Sequence, residues 1–289
     1  MKFSYFGSPD TSTEIDIVTL NRAFLEQYVA TPSQPHRNKY QAIIWIKKGS
    51  GTHLIDDQLF EIEPHTFMLV SKGQVHAFNP GKGTLGCAVR FADSFLDSAA
   101  YHSTCKYSLF SNITVNSVLR VEDKDRPMFE ALMAQLQNEL EKENEYGKDT
   151  ILQRLLEVFL IKLEQLKRRQ FTKQLDVDHA AYLIFQRFNF ELENHFNAVH
   201  DVSSYAERLN ISSRKLSEIL KLFVGKPASL VIQERLVVEA KRSLRYTGKS
   251  VKEIGFELGF SDPSYFSKVF KKVEGKAPRT FRADVQNVT

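Results

Sequence analysis

Cysteine is nearly missing from this 289-residue chain: only Cys87 and Cys105 occur. Two thiols exclude a disulfide framework and a four-cysteine zinc site, and they fit a reducing cytoplasm. Tryptophan occurs once, as Trp45. No apolar run approaches the ~20 residues of a membrane-spanning helix, so no membrane partner is expected. The opening MKFSYFGSPDTSTEID has no basic stretch followed by an apolar one, so no secretory leader is expected. What is present is an ordinary globular composition, 42% hydrophobic and 26% charged. At this length two domains are a better expectation than one.

Acidic residues are sparse at one end. The net charge of +4 is divided unevenly. Residues 1–200 carry 22 Lys and Arg against 25 Asp and Glu, a net of −3; residues 201–289 carry 17 against 10, a net of +7. A basic final segment fits a polyanionic partner or a merely solvated basic face.

Residues 11–95 read as β structure. Residues 41–46 (QAIIWI) are rich in β-branched side chains and run into the turn Lys47-Lys48-Gly49-Ser50-Gly51. Residues 53–55 and 59–62 flank Asp56-Asp57-Gln58, a hairpin signal, and residues 66–70 and 84–91 are further strands. Short strands at this spacing predict a sandwich or small barrel. Near Pro127 the period changes. Phe129, Leu132, Met133, Leu136 and Leu140 form one helical stripe, and Leu152, Leu155, Leu156, Phe159, Leu163 and Leu166 form a second. Residues 170–178 are polar and read as a linker, and everything beyond reads as helical.

The final segment repeats itself at an offset of 49–50 residues. Val202, Ala206, Leu209, Ile211 and Ser212 align with Val251, Gly255, Leu258, Phe260 and Ser261. Leu216, Ile219, Leu220, Phe223 and Gly225 then align with Phe266, Val269, Phe270, Val273 and Gly275. Each copy reads as a helix-turn-helix. A small residue, Ala206 or Gly255, allows close helix approach, Asn210 or Gly259 turns the chain, and Ser212 or Ser261 caps the second helix. Ser250 and Glu253 form a capping box, and Pro263 suits a first helical turn. A connecting helix over residues 227–246 spans about 30 Å at ~1.5 Å per residue. That is close to the ~34 Å between major-groove faces one turn apart on DNA.

Residues 175–289 resemble the DNA-binding domain of the AraC/XylS family of bacterial transcription regulators. The resemblance rests on Ala206, Leu209, Ser212, Leu216, Gly225, Pro227, Arg235, Ala240, Leu244 and Ile254. It continues through Gly259-Phe260-Ser261-Asp262, Ser264-Tyr265-Phe266-Ser267-Lys268, Phe270-Lys271-Lys272, Gly275, Pro278 and Phe281-Arg282. It implies sequence-specific promoter binding, usually as an activator working with RNA polymerase. Residues 180–196 fit the first helix of that domain.

With the apolar positions facing the core, Ser213, Arg214, Ser217, Glu218 and Lys221 are left outward in copy one. Asp262, Pro263, Ser264, Ser267, Lys268 and Lys271 are outward in copy two. Arg214 and Lys268 can donate to guanine O6 and N7. The serines can reach bases or phosphates. Lys271, Lys272, Arg279 and Arg282 read as phosphate anchors. For each residue, plain solvation stands beside the DNA-contact reading.

The β region resembles the cupin-like domain that often precedes this DNA-binding domain. The resemblance rests on Pro35-His36, Lys48-Gly49-Ser50-Gly51, Glu63-Pro64 and Gly73-Gln74-Val75-His76. A metal-binding cupin would need further imidazole and carboxylate ligands, but Asn38 and Gln41 stand near those positions, and His65 replaces the usual glycine. No metal, cofactor or catalytic residue is therefore expected, and the chain reads as a regulator, not an enzyme. His36, Tyr40, Trp45, His76, Phe78 and Arg90 can line a pocket for an unknown small-molecule effector, with Arg90 suiting a carboxylate. Equally, Trp45 is ordinary core and His36, His53 and His76 are histidines without a ligand.

The expected fold class is thus α+β and multidomain. A cupin-like β-barrel occupies residues 1–120, a helical linker and dimerisation region 121–170, and an all-α domain with two helix-turn-helix motifs 175–289. In this family such helices often pair two chains, which implies a homodimer through Leu152, Leu155, Phe159, Leu163 and Leu166. The rival readings are a cupin enzyme with a DNA-binding appendage and a constitutive architectural DNA-binding protein.

Overall fold

Residues 42–46 show no alternation of apolar and polar side chains, and the reason lies in what covers them. In the computed structural model, which describes residues 14–21, 35–37, 39–96, 109–110, 117–175 and 179–286, the chain divides near Leu175 into two compact units. The first holds β1 (Ile15–Leu20), β2 (His36–Arg37), β3 (Gln41–Lys48), β4 (Gly51–Ile55), β5 (Gln58–Ile62), β6 (Thr66–Val70), β7 (Val75–Pro80), β8 (Leu85–Phe91) and β9 (Val118–Arg120). One antiparallel sheet has the order β1-β8-β3-β6-β9 and the other β2-β7-β4-β5. Helices α1 (Arg126–Glu141) and α2 (Lys148–Leu175) follow.

The five-stranded sheet is buried on both faces. Ile43 and Trp45 of β3, Phe67 and Leu69 of β6, and Cys87, Val89 and Phe91 of β8 pack with Phe129 and Leu136 of α1 and Leu152, Phe159 and Leu163 of α2. The alternate residues, Ala42, Ile44, Ile46, Met68, Val70 and Ala88, form a second core with Ile55, Ile62 and Phe78 of the other sheet. A strand covered on both sides loses its period of two and reads as a continuous apolar run. Phe67, Phe129 and Phe159 anchor the first core, with ring centroids 4.9–5.8 Å apart.

Two expectations are corrected here. The α2 helix does not stop at residue 169 but runs to Leu175, so most of the expected linker is helical at its start. Its polar end still finds partners: Arg169 pairs with Asp125 at 2.6 Å and the Gln170 amide donates to the Arg120 carbonyl. Second, Leu152, Phe159, Leu163 and Leu166 are buried against the sheet, and Leu155 packs beside them. That stripe fills the chain's own core and cannot join a second copy.

The second unit is helical: α3 (His179–His195), α4 (Val202–Arg208), α5 (Ser213–Val224), α6 (Ala228–Tyr246), α7 (Val251–Glu257), α8 (Pro263–Glu274) and α9 (Pro278–Gln286). Helices α4–α5 and α7–α8 are the two repeat copies. Asn210 turns the first at φ +56° and Gly259 the second at φ +82°. Glycines in the left-handed region, Gly225 and Gly275, end α5 and α8. The Ser250–Glu253 capping box opens α7. Buried Arg235 of α6 holds α3 in place, its Nε donating to both Glu193 oxygens at 3.0 Å with the guanidinium 3.9 Å from the Phe196 ring. Among the described residues no helix is long and apolar enough to cross a membrane.

Candidate nucleic-acid interface

Helix α5 is opened by Ser212, whose Oγ accepts from Lys215 N at 3.1 Å. Leu216, Ile219, Leu220 and Phe223 are buried, which fixes the outward face. Ser213, Arg214, Glu218 and Lys221 lie exposed on it, and Ser217 is half-buried. Arg214 Nε donates to Glu218 Oε1 at 3.0 Å, with the arginine side chain 90% exposed. A pair this wet holds weakly and can open toward a phosphate or a base.

In α8 the cap is not Ser261. Asp262 takes that role, its carboxylate accepting from Ser264 N at 2.8 Å and Tyr265 N at 3.3 Å, with Pro263 beginning the helix. The helix starts one residue later than the repeat alignment implies because the proline's fixed φ suits the first helical position and leaves Asp262 to bond the free N–H groups. These backbone N–H bonds hold the Asp262 carboxyl below its usual range. Asp262 is thus occupied by its own helix. Ser264, Lys268, Lys271 and Lys272 are exposed and Pro263 and Ser267 half-buried, with Ser267 Oγ donating to the Pro263 carbonyl at 2.9 Å.

Arg279 is exposed at the start of α9. Arg282 differs from its expected anchoring role. Its Nε donates to the Leu244 carbonyl at 3.1 Å and its Nη2 to that of Lys249 at 2.6 Å, so it braces the junction of α6 and α7. Two exposed residues escaped the sequence reading: Lys215 and Tyr265, the latter 56% exposed. They share one repeat position, just before Leu216 and Phe266, and aligning the copies for outward rather than inward residues would have found both.

Inside the barrel, β2 and β7 set His36 opposite His76, and β4 sets His53 opposite Phe78. The His36 and His76 rings lie 4.4 Å apart, and His53 Nε2 meets His76 Nδ1 at 3.0 Å. Burial, and then the neighbouring His36, push His53 down to about 3. Burial drives His76 well below its usual value too. These are neutral imidazoles in an apolar core. Tyr40 and Phe78 belong to that same core. Arg90 pairs with Asp16, its Nε donating to Oδ1 at 2.7 Å, and its charge is matched within the barrel. Trp45 is corrected: it points out of the barrel into the core beneath the helices, 5.1 Å from Phe67.

His53 Nε2 and His76 Nδ1 face each other, while His53 Nδ1 and His76 Nε2 are buried without a hydrogen-bond partner. Gln41 is tied down, its Nε2 donating to Asp93 at 3.1 Å and its Oε1 accepting from Lys72 N at 3.0 Å. Asn38 lies outside the described residues. Among the described residues no group of three or more ligating side chains is arranged to hold a metal ion.

Comparison with known proteins agrees with both halves. The pattern of a helix-turn-helix domain matches residues 205–284, and that of the AraC-like ligand binding domain matches residues 23–156. The chain belongs to the AraC family of transcription regulators. It is 23% identical to the arabinose operon regulatory protein of Escherichia coli over 82% of this chain and 78% of that one. It is 23% identical to the transcriptional activator RhaS of Mannheimia succiniciproducens, over 86% of this chain and 88% of RhaS. The regulator YfiF of Bacillus subtilis is 24% identical over 86% and 78%. Among solved structures, ToxT of Vibrio cholerae aligns over 93% of this chain and 97% of its own, at 16% identity and a TM-score of 0.40. Within the AraC frame, the matched helix-turn-helix span takes in α5 and α8, and the ligand-binding span takes in the inward-facing histidines.

Proposed function

We propose that this AraC-family chain binds double-stranded promoter DNA by laying α5 and α8 in successive major grooves. The observation that carries the reading is the duplicated, capped helix-turn-helix with polar and basic side chains exposed on both second helices. The 19-residue α6 between them spans about 28 Å at ~1.5 Å per residue, in keeping with grooves ~34 Å apart. Arg214 and Lys268 contact bases, with Ser213, Ser217, Ser264, Ser267 and Tyr265 beside them. Lys221, Lys271, Lys272 and Arg279 contact phosphates. Selection of duplexes from a random pool by the full chain, followed by footprinting, tests this: protection of two adjacent grooves on one face supports it, and a single protected groove refutes it.

The first unit is the sensor, with an organic effector in the barrel. Apolar walls, neutral imidazoles and an Arg90 already matched by Asp16 favour an uncharged ligand over a carboxylate. A panel of neutral and anionic metabolites screened by thermal shift separates the two, since a ligand that binds the native state raises the melting temperature. The protein acts in the cytoplasm as an activator with RNA polymerase. It works as a homodimer through the outer face of α2, where Ile151, Val158 and Ile161 are each 41–44% exposed. Sedimentation of the full chain and of Val158→Glu checks the dimer, with a strict monomer in both overturning it.

A further inference from the structure

Helix α6 is not the only link between the two helix-turn-helix units. The loop between α3 and α4 reaches across and grips the turn of the second unit. His200 Nε2 lies 2.8 Å from the Leu258 carbonyl oxygen. A carbonyl only accepts, so Nε2 carries the proton and donates. The His200 ring also packs on Phe260, centroids 4.6 Å apart, and Phe260 in turn packs 5.3 Å from Phe266 in the α8 core.

Gly259 sits between these contacts. A Cβ there would lie 2.1 Å from the Asn197 carbonyl oxygen and 3.3 Å from His200 Nε2. The close approach therefore requires glycine independently of its φ. The other end of the loop is fixed as well. Tyr205 of α4 donates its hydroxyl to the Val199 carbonyl at 3.0 Å. Asp201 caps α4, accepting from Ser204 N at 2.8 Å. Five consecutive residues, 197–201, thus bind α4 on one side and the turn before α8 on the other.

We propose that His200 is a positioning residue that latches the second helix-turn-helix unit to the first and so fixes the angle between α5 and α8. The proposal rests on the two-groove reading above. Two binding elements held rigidly at the right separation act at high effective concentration, so the second groove is engaged with little further loss of freedom. A loosened latch leaves each element able to bind and reduces only the joint engagement.

The test uses the full chain and two duplexes: one selected by the wild-type protein from a random pool, and the same duplex with one groove's subsite scrambled. His200→Ala is expected to lose about tenfold in affinity for the intact duplex, the scale of one hydrogen bond. It should bind the scrambled duplex as the wild type does and protect one groove instead of two. His200→Gln, whose Nε2 amide can reach the same carbonyl, should recover most of the loss. Gly259→Ala should reproduce the loss from a different atom. Equal weakening on both duplexes, or undiminished two-groove protection by His200→Ala, overturns the latch. If the wild type itself protects only one groove, the two-groove reading falls and the latch with it.

Discussion

Lowering the pH from about 7.5 to about 5.5 should destabilise the β unit, and the barrel histidines say by how much. His53 is fully buried and holds a pKa of about 3 when folded, against ~6.5 in an unfolded chain. Between those values the unfolded state binds the proton and the folded state does not, so unfolding is favoured as pH falls. The stability is intact above ~6.5 and drains away below it. One pH unit below the unfolded value, His53 alone removes about 1.4 kcal/mol. His76 is lowered by burial in the same direction, so its loss adds to this one. For a unit of this size the His53 share alone corresponds to a drop of roughly 3–6 °C in melting midpoint. Trp45 is the only tryptophan, buried in the β unit beside Phe67, so its fluorescence follows this unit's unfolding in the intact chain. His53→Gln should flatten the pH slope. A midpoint that stays level across this range refutes the reasoning.

Other consequences can be checked directly. Arg214→Ala should relax preference at one base position by about 1–3 kcal/mol, read by selection from random duplexes. Lys272→Ala should weaken binding to all sequences alike and lower the salt slope by about one. A fragment of residues 175–289 should fold and bind DNA with a steep salt dependence, measured by titration at several ionic strengths. Trp45→Ala should destabilise the β unit by about 3–5 kcal/mol in denaturant unfolding, as expected of a large core side chain.

The helices and several of their caps were legible because their causes are local, although the α8 cap reads as Ser261 in the sequence and is Asp262 in the structure. Ser212, the Ser250–Glu253 box and the glycines after α5 and α8 act within a turn or two of themselves. The length of α2 was not legible, because Arg169 and Gln170 find partners at Asp125 and Arg120, far away in sequence. The same holds for Trp45: a strand buried on both faces carries no alternation to say which face a side chain takes. The Leu152–Leu166 stripe was recognised as apolar, but periodicity identifies a buried face without naming what buries it. Arg282 reads as a free cation until the carbonyls of Leu244 and Lys249 are brought beside it.

The two recognition helices share a scaffold but differ in what they present. Aligned through Leu216 and Phe266, Arg214 and Glu218 of α5 correspond to Ser264 and Lys268 of α8. In α5 an acid lies one turn along from the arginine, Arg214 Nε donating to Glu218 Oε1 at 3.0 Å in a pair wet enough to open. A planar guanidinium can bond guanine bidentately, whereas lysine is a flexible point charge. Lys221 and Lys271 correspond, but the next position is exposed Leu222 in α5 and Lys272 in α8. Copy two therefore concentrates lysines where copy one has an ion pair and an apolar side chain. On the two-groove proposal, this chemistry would make α5 contribute more to choosing the sequence and α8 more to holding the backbone. That division makes the angle between them matter, because an anchor helps a reader only when both reach their grooves together.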